Sequence, residues 1–312
     1  MKVKAHAKIN LTLDVLRKDP SGYHRIQTVL LQIDLHDILI FRKIPSGLAK
    51  NSIVVKCAHP GVPKNNTVVK AVQLLQNFLK KKRRQIPFGI EIELQKNIPV
   101  AAGLGGASSD AAATLLAVNQ LWKLKIPAAG LQKMAVAIGM DVPFFLQGGL
   151  AFADHYGEKI TPLPDHKIFY HARSAYFYRE RSRLLKRIPM LFIDPGSSKK
   201  TAEAYKQIDR FLIGQNQAKT ADLQKFLSAA NVGQQSLADF IHNDFNLLYG
   251  KKFAKLCEKM YELGAQAVSC SGSGPVMFAI FKTYKLLEKA CKSLKKDRIN
   301  GIRVQKIRAQ KN

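Results

Sequence analysis

The first fifteen residues change character at nearly every position. Val3, Ala5, Ala7, Ile9, Leu11, Leu13 and Val15 fall on one side, and Lys4, His6, Lys8, Asn10 and Thr12 on the other. A period of two belongs to a β-strand, so the pattern predicts a half-buried strand whose polar face carries Lys8 and Asn10. After the turn DPSGYH, a β-rich stretch is predicted from Thr28 to Phe41 and a short strand around Ile53 to Lys56. The period then lengthens. Val69, Val72, Leu75 and Leu79 recur at helical spacing behind Asn66 and Thr67, either of which can cap the helix. FGIEIEL (88–94) alternates as a strand, and helices are predicted from Ser108 to Trp122 and from Pro127 to about Ile138.

The C-terminal half reads as strand-like segments near Leu150 and Lys167, a strand from Met190 to Asp194, and helices around Thr201 to Phe211 and Asp222 to Ala230. A long helix is predicted from Phe245 to Leu263. Strands AQAVSC (265–270) and VMFAIF (276–281) flank the turn SGSGP, and a helix from Tyr284 to Lys295 precedes a last strand, IRVQKI (302–307). Strands and helices mixed in this way predict an α+β architecture in two domains meeting near residues 150–165.

Composition changes this picture little. Hydrophobic residues make up 46% and charged residues 23%, the profile of a folded chain. No apolar run approaches the ~20 residues that span a bilayer, and His6, Lys8, Asn10 and Thr12 interrupt any signal-peptide core. No membrane association is expected, and a cytoplasmic location is. Cys57, Cys257, Cys270 and Cys291 show neither CxxC pairing nor nearby histidine spacing, so neither zinc nor a disulfide is assigned. Charge is the odd feature. Lys and Arg number 50 against 22 Asp and Glu, a balance of +28, concentrated at KKKRR (80–84) and RERSRLLKR (179–187). Such charge is either solvated surface or an attraction for polyanionic ligands. No aromatic RNA-binding signature, helix-turn-helix or zinc spacing accompanies it, so no specific nucleic-acid partner is expected.

Four constellations carry chemistry. In PVAAGLGGASSD (99–110) a strand ends, Gly103, Gly105 and Gly106 allow close backbone approach, and a helix begins at the serines. Unpaired N–H groups at a helix start suit phosphate, and Ser108 and Ser109 add hydroxyls that can donate to it or reach magnesium. Without a following lysine this is no Walker loop, and with Ser108 in place of the last glycine it is not GxGxxG. On chemistry alone it is a phosphate cradle or a structural turn. In AKINLTL (7–13), Lys8 and Asn10 share a strand face and can enter one cleft. In IGMDVPFF (138–145), Asp141 borders an apolar run and is either a paired functional carboxylate or a loop cap. SGSGP (271–275) is a hairpin turn or a second wall of the same pocket.

Taken together, in this order, the N-terminal strand, the PxxxGLGxxSS-type loop and the late SGSG turn resemble the GHMP kinase superfamily. That resemblance implies a two-domain fold: a ribosomal-protein-S5-domain-2-like part, residues 1–160, and a ferredoxin-like α/β sandwich, residues 161–312. It implies ATP-dependent phosphorylation of a small-molecule hydroxyl. Lys8 and Asp141 become the catalytic pair, and Pro99, Val100, Ala101, Ala102, Gly103, Leu104, Gly105, Gly106, Ala107, Ser108 and Ser109 the ATP loop, with Ser271, Gly272, Ser273 and Gly274 as a second glycine loop. Mg2+ would accompany ATP, with no protein ligand firmly assigned. The GYH triplet, GMDVPFFLQGG, TAEAY (201–205) and HNDFN (242–246) are similar to the branch whose acceptor is a cytidine-diphosphate-linked sugar alcohol. In that branch Tyr23 and His24 would hold the cytosine, and Asn10, Thr201 and Tyr205 would line the substrate side. An acceptor of the homoserine or mevalonate type is the alternative, and a monomer and a homodimer both remain open. Two departures stand out. Ala101 and Ala107 replace glycines common in the superfamily, which alanine tolerates only at negative φ. His171 to Pro189 forms a basic, aromatic insertion.

Overall fold

The computed structural model describes residues 1–44, 51–164, 189–194, 201–211, 217–228, 236–296 and 303–307. The expected strand near Lys167 and all of the insertion but Pro189 lie outside them. The chain divides into two compact units. One comprises Met1–Ala7, Leu35–Val100 and Gly105–Gln147, the other Lys8–Asp34, Ala101–Leu104 and Gly148–Asn312. Two long strands, β1 (Lys2–Lys18) and β2 (His24–Ile44), contribute residues to both.

In the first unit, β4 (Gly89–Gln95) pairs antiparallel with the end of β2, from Ile38↔Gln95 to Ile44↔Gly89, and parallel with β3 (Ile53–Lys56). The alternation of β4 sends Ile90, Ile92 and Leu94 inward and Glu91 and Glu93 outward. There the glutamates meet Arg42 and Lys56 at 2.7–3.4 Å, surface pairs that add little stability. Four helices, α1 (Thr67–Lys81), α2 (Gly106–Leu121), α3 (Ala128–Ile138) and α4 (Val142–Gln147), supply the rest of its core, including Val72, Leu75, Leu115, Val118 and Val142. Asn66 caps α1, its Oδ1 accepting from Val68 N at 3.0 Å and Val69 N at 3.2 Å. Asn66→Ala is expected to lower unfolding free energy by about 1 kcal/mol in urea titration, the usual effect of losing a cap.

In the second unit, the start of β2 pairs antiparallel with β5 (Leu150–Asp154), and β5 with β6 (Lys159–Pro162). β1 pairs in parallel with the two-residue β8 (His242–Asn243) at Thr12↔His242. Val15 N donates to Asp244 Oδ2 at 2.7 Å, and His242 Nε2 meets Asp14 Oδ1, which fixes that short strand. A separate antiparallel sheet has the order β11-β7-β10-β9, from β11 (Arg303–Ile307), β7 (Met190–Asp194), β10 (Met277–Phe281) and β9 (Ala265–Cys270). Helices α7 (Lys251–Glu262) and α8 (Tyr284–Lys296) pack on it through Met260, Leu287 and Leu294. Helix α5 (Thr201–Ile208) sets Ala204 and Ile208 against Leu13, Val15 and Phe245, and α6 (Gln217–Ser228) follows.

Three expectations need correction. The polar face of β1 is exposed near its start, at Lys4, whereas further along Lys8 and Asn10 are each 3% exposed and Asp14 is fully buried. The helix predicted from Phe245 to Leu263 is broken. Asn243 caps a 3-10 turn, Asp244–Leu248, by accepting from Phe245 N at 2.9 Å, and Gly250, in extended conformation, starts α7 afresh. Helix α2 starts at Gly106 rather than at the serines, because Gly105, at φ 70°, turns the chain directly into it. Among the described residues no helix is long and apolar enough to cross a membrane.

Candidate active site

Within the second unit, the loop tip Ala101–Leu104 interlocks with the SGSG turn. Gly103 has φ +83°, and a Cβ built on it would lie 1.9 Å from the Ser271 carbonyl oxygen. A Cβ on Gly274 would lie 2.3 Å from the Ala102 carbonyl carbon. Only glycine allows two backbones so close. Ser271 Oγ donates to Gly103 O at 3.0 Å. Asn243 Nδ2 holds the turn from behind, donating to Cys270 O and Gly272 O, both at 3.0 Å, and Tyr249 Oη donates to Ser273 O at 2.8 Å. SGSGP is therefore both a hairpin turn and a packing partner of the first glycine loop. Ala101 corrects the expectation of negative φ. It sits at +57° with its methyl exposed, so it clashes with nothing but carries a left-handed strain of roughly 1–2 kcal/mol. Ala107 lies inside α2.

Lys8 joins this assembly from β1. Its backbone N–H donates to Leu104 O at 3.0 Å, and its Nζ lies 3.3 Å from where a Gly272 Cβ would stand. Nζ also donates to Asn10 Oδ1 at 2.7 Å, Asn10 Nδ2 donates to Thr28 Oγ1 at 2.8 Å, and Thr28 Oγ1 donates to Thr12 O at 2.5 Å. The polar side of β1 is thus an internal network that fixes an ammonium against two glycine turns. An ammonium ion held at this position favours an anion beside it.

In the first unit, α2 opens at Gly105 without a side-chain cap. Its first N–H groups and the positive end of its dipole are therefore available to phosphate oxygens. Lys96 holds this helix start, donating from Nζ to Asp110 Oδ2 at 2.9 Å and to Asp37 Oδ2. Asp37 Oδ1 also accepts from Asn97 N at 2.6 Å and Ile98 N at 2.8 Å, so one carboxylate braces the chain leading into the loop. Asp110 is accordingly committed to Lys96 at this helix start. Burial pushes its carboxyl up to about 7, against the opposing pull of Lys96. The folded protein then keeps a proton that the unfolded chain releases near pH 4, so this group's stabilisation fades as pH rises from about 4 to about 7. Asp110→Asn is expected to flatten that part of the stability–pH curve, by up to about 1.4 kcal/mol per pH unit, in urea unfolding across the window. Asp141 stands half-buried between Gly139 and α4.

Tyr23 and His24 lie at the start of β2. Tyr23 is 62% exposed, as a stacking face requires, and its ring is 5.8 Å from that of Tyr156. His24 is buried, stacked at 5.2 Å on Tyr205 of α5, with Nε2 2.5 Å from Asp209 Oδ1. Tyr205 thus comes together with His24. Thr201 is the first residue of α5. Sequence reasoning missed Asn243, although HNDFN was visible, and Asp209, one helical turn beyond Tyr205.

The family model described as GHMP kinases N terminal domain matches residues 66–149, and GHMP kinases C terminal matches residues 217–299. The 4-diphosphocytidyl-2-C-methyl-D-erythritol kinase of Thermoanaerobacter pseudethanolicus is 35% identical over 300 residues, 95% of this chain and 92% of that protein. The protein of the same name from Gloeobacter violaceus is 34% identical over 297 residues, 93% of this chain and 89% of that protein. A crystal structure of 4-(cytidine 5'-diphospho)-2C-methyl-D-erythritol kinase superposes with TM-score 0.68 at 26% identity, covering 99% of this chain and 100% of that one. A mevalonate kinase structure, with TM-score 0.71 at 13% identity over the whole of both chains, shares the fold.

Proposed function

We propose the reaction of a chain that belongs to the GHMP kinases and, within them, to the 4-diphosphocytidyl-2-C-methyl-D-erythritol kinases. It transfers the γ-phosphoryl group of ATP to the 2-hydroxyl of 4-diphosphocytidyl-2-C-methyl-D-erythritol, giving the 2-phosphate and ADP. The observation that carries this reading is Lys8 Nζ held against the interlocked glycine turns. The nucleotide phosphates lie along Pro99 to Ser109. Asp141 accepts the proton of the 2-hydroxyl as its oxygen bonds to the γ-phosphorus and the bond to the β–γ bridging oxygen breaks. Lys8 balances charge on the transferring group, and Asn10, oriented by Thr28, contacts the acceptor side. In a loose transition state much of the rate comes from such alignment and charge stabilisation. Tyr23 stacks on the cytosine and His24 reads its edge.

Ser108 fits a magnesium ligand. It is half-buried in the first turn of α2, and its hydroxyl makes no hydrogen bond among the described residues. Asp110 does not fit, being committed to Lys96. Bound with ATP, magnesium supplies charge neutralisation at the β- and γ-phosphates. The reaction is assigned to the cytoplasm, where ATP is the donor.

A coupled ADP-release assay over a panel of acceptors tests this reading. Turnover is expected with the cytidyl substrate and not with homoserine or mevalonate. The reverse order would refute it.

A further inference from the structure

We propose that Asp209 sets which pyrimidine the enzyme accepts, by holding His24 with its proton on Nε2 and leaving Nδ1 as an acceptor. The inference rests on the cytidine-binding reading above. His24 is the first residue of β2, with its side chain only 3% exposed. Its Nε2 lies 2.5 Å from Asp209 Oδ1. A carboxylate only accepts hydrogen bonds, so Nε2 must be the donor. Asp209 Oδ2 lies 3.7 Å from Lys18 Nζ. Tyr205, four residues earlier in α5, stacks on the imidazole at an interplanar angle of 25° and is itself held edge-on by Phe245 at 5.0 Å. Stacking fixes the plane of the ring, and Asp209 fixes its rotation and tautomer within that plane. Among the described residues Nδ1 makes no hydrogen bond.

This arrangement distinguishes bases. Cytosine offers an exocyclic amine, a donor that a bare Nδ1 can accept. Uracil offers a carbonyl at the same position, whose lone pairs would face those of Nδ1. Sites built around such a bond reject an analogue lacking the partner by large factors, because the polar group is left unpaired. Asp209 is therefore a positioning residue acting through His24. Without it the imidazole can rotate or exchange tautomers, and a protonated Nδ1 would accept uracil instead.

Steady-state kinetics with the cytidyl substrate and its uridyl counterpart test the proposal in the wild type, Asp209→Ala and Asp209→Glu. In Asp209→Ala the ratio of kcat/KM for cytidyl over uridyl substrate is expected to fall by about tenfold or more, with the change in KM. KM for ATP and kcat at saturation should stay near wild type, and Asp209→Glu should restore most of the ratio. A merely structural role would weaken both substrates alike, so an unchanged ratio overturns the inference while the kinase reading stands. A wild type inactive on the cytidyl substrate overturns both. Should Asp209→Ala not fold, nitrogen-15 NMR of the wild-type imidazole decides. A protonated Nε2 and bare Nδ1 on His24 support the proposal, and the opposite neutral tautomer contradicts it.

Discussion

Asp141→Asn is expected to lower kcat by roughly 10^2- to 10^4-fold, the range for loss of a general base, while the melting temperature and KM for ATP stay near wild type. Asparagine has the same shape, and Asp141 is only half-buried at the start of α4, so packing does not oppose the change. What the amide cannot do is accept the proton of an alcohol. Alignment of the phosphates by the loop would persist, which is why residual turnover is expected. ADP release measured beside a thermal melt checks both halves. Lys8 is a less clean probe. It is buried and donates to Asn10 Oδ1, so Lys8→Met leaves that acceptor unpaired, at about 1–3 kcal/mol in stability, as well as removing the charge. A melting temperature that drops in Lys8→Met and holds in Asp141→Asn would separate the two roles.

Gly103→Ala has the other large effect. Its φ of +83° costs an L-residue about 1–2 kcal/mol. The new Cβ would also fall 1.9 Å from Ser271 O, 2.9 Å from Gly274 N and 3.0 Å from Ser271 C. These are backbone atoms braced by Asn243 and Tyr249, so the loop tip must move away from the SGSG turn. Loss of the Ser271 to Gly103 hydrogen bond follows. A displacement of about 1 Å in a positioning element can reduce turnover about 10^2-fold. Fluorescent-nucleotide titration should show weakened ATP binding, and Gly250→Ala, where a Cβ meets nothing within 4 Å, should bind ATP like the wild type. Normal binding by Gly103→Ala would mean the loop tip does not hold the phosphates.

Local features of this fold were legible because local rules decide them. The period of two in β1, the cap at Asn66 and the alternation in β4 follow from sequence neighbours. Burial of Lys8 and Asn10 was not legible. Periodicity says which residues share a face, whereas the glycine turns near Lys8 come from Ala101–Leu104 and Ser271–Gly274, far along the chain. The long helix predicted after Phe245 failed for a similar reason. Its apolar spacing continues, but the Asn243 cap and the extended Gly250 restart the backbone. Ala101 shows the limit of a residue-type rule, since an exposed methyl leaves only the intrinsic strain to oppose positive φ. Lys8 and the glycine turns stood out as groups suited to phosphate and Asp141 as a carboxylate beside an apolar run, and family likeness gave them roles. Asp209 has no such signature, and its relation to His24 exists only once α5 is folded against β1 and β2.

The most direct test is phosphorus-31 NMR of the products formed from ATP and 4-diphosphocytidyl-2-C-methyl-D-erythritol. The account predicts ADP and one new phosphomonoester resonance, coupled to the carbon bearing the 2-hydroxyl, absent with Asp141→Asn. ADP accompanied only by inorganic phosphate, or a phosphomonoester on another oxygen, would contradict it.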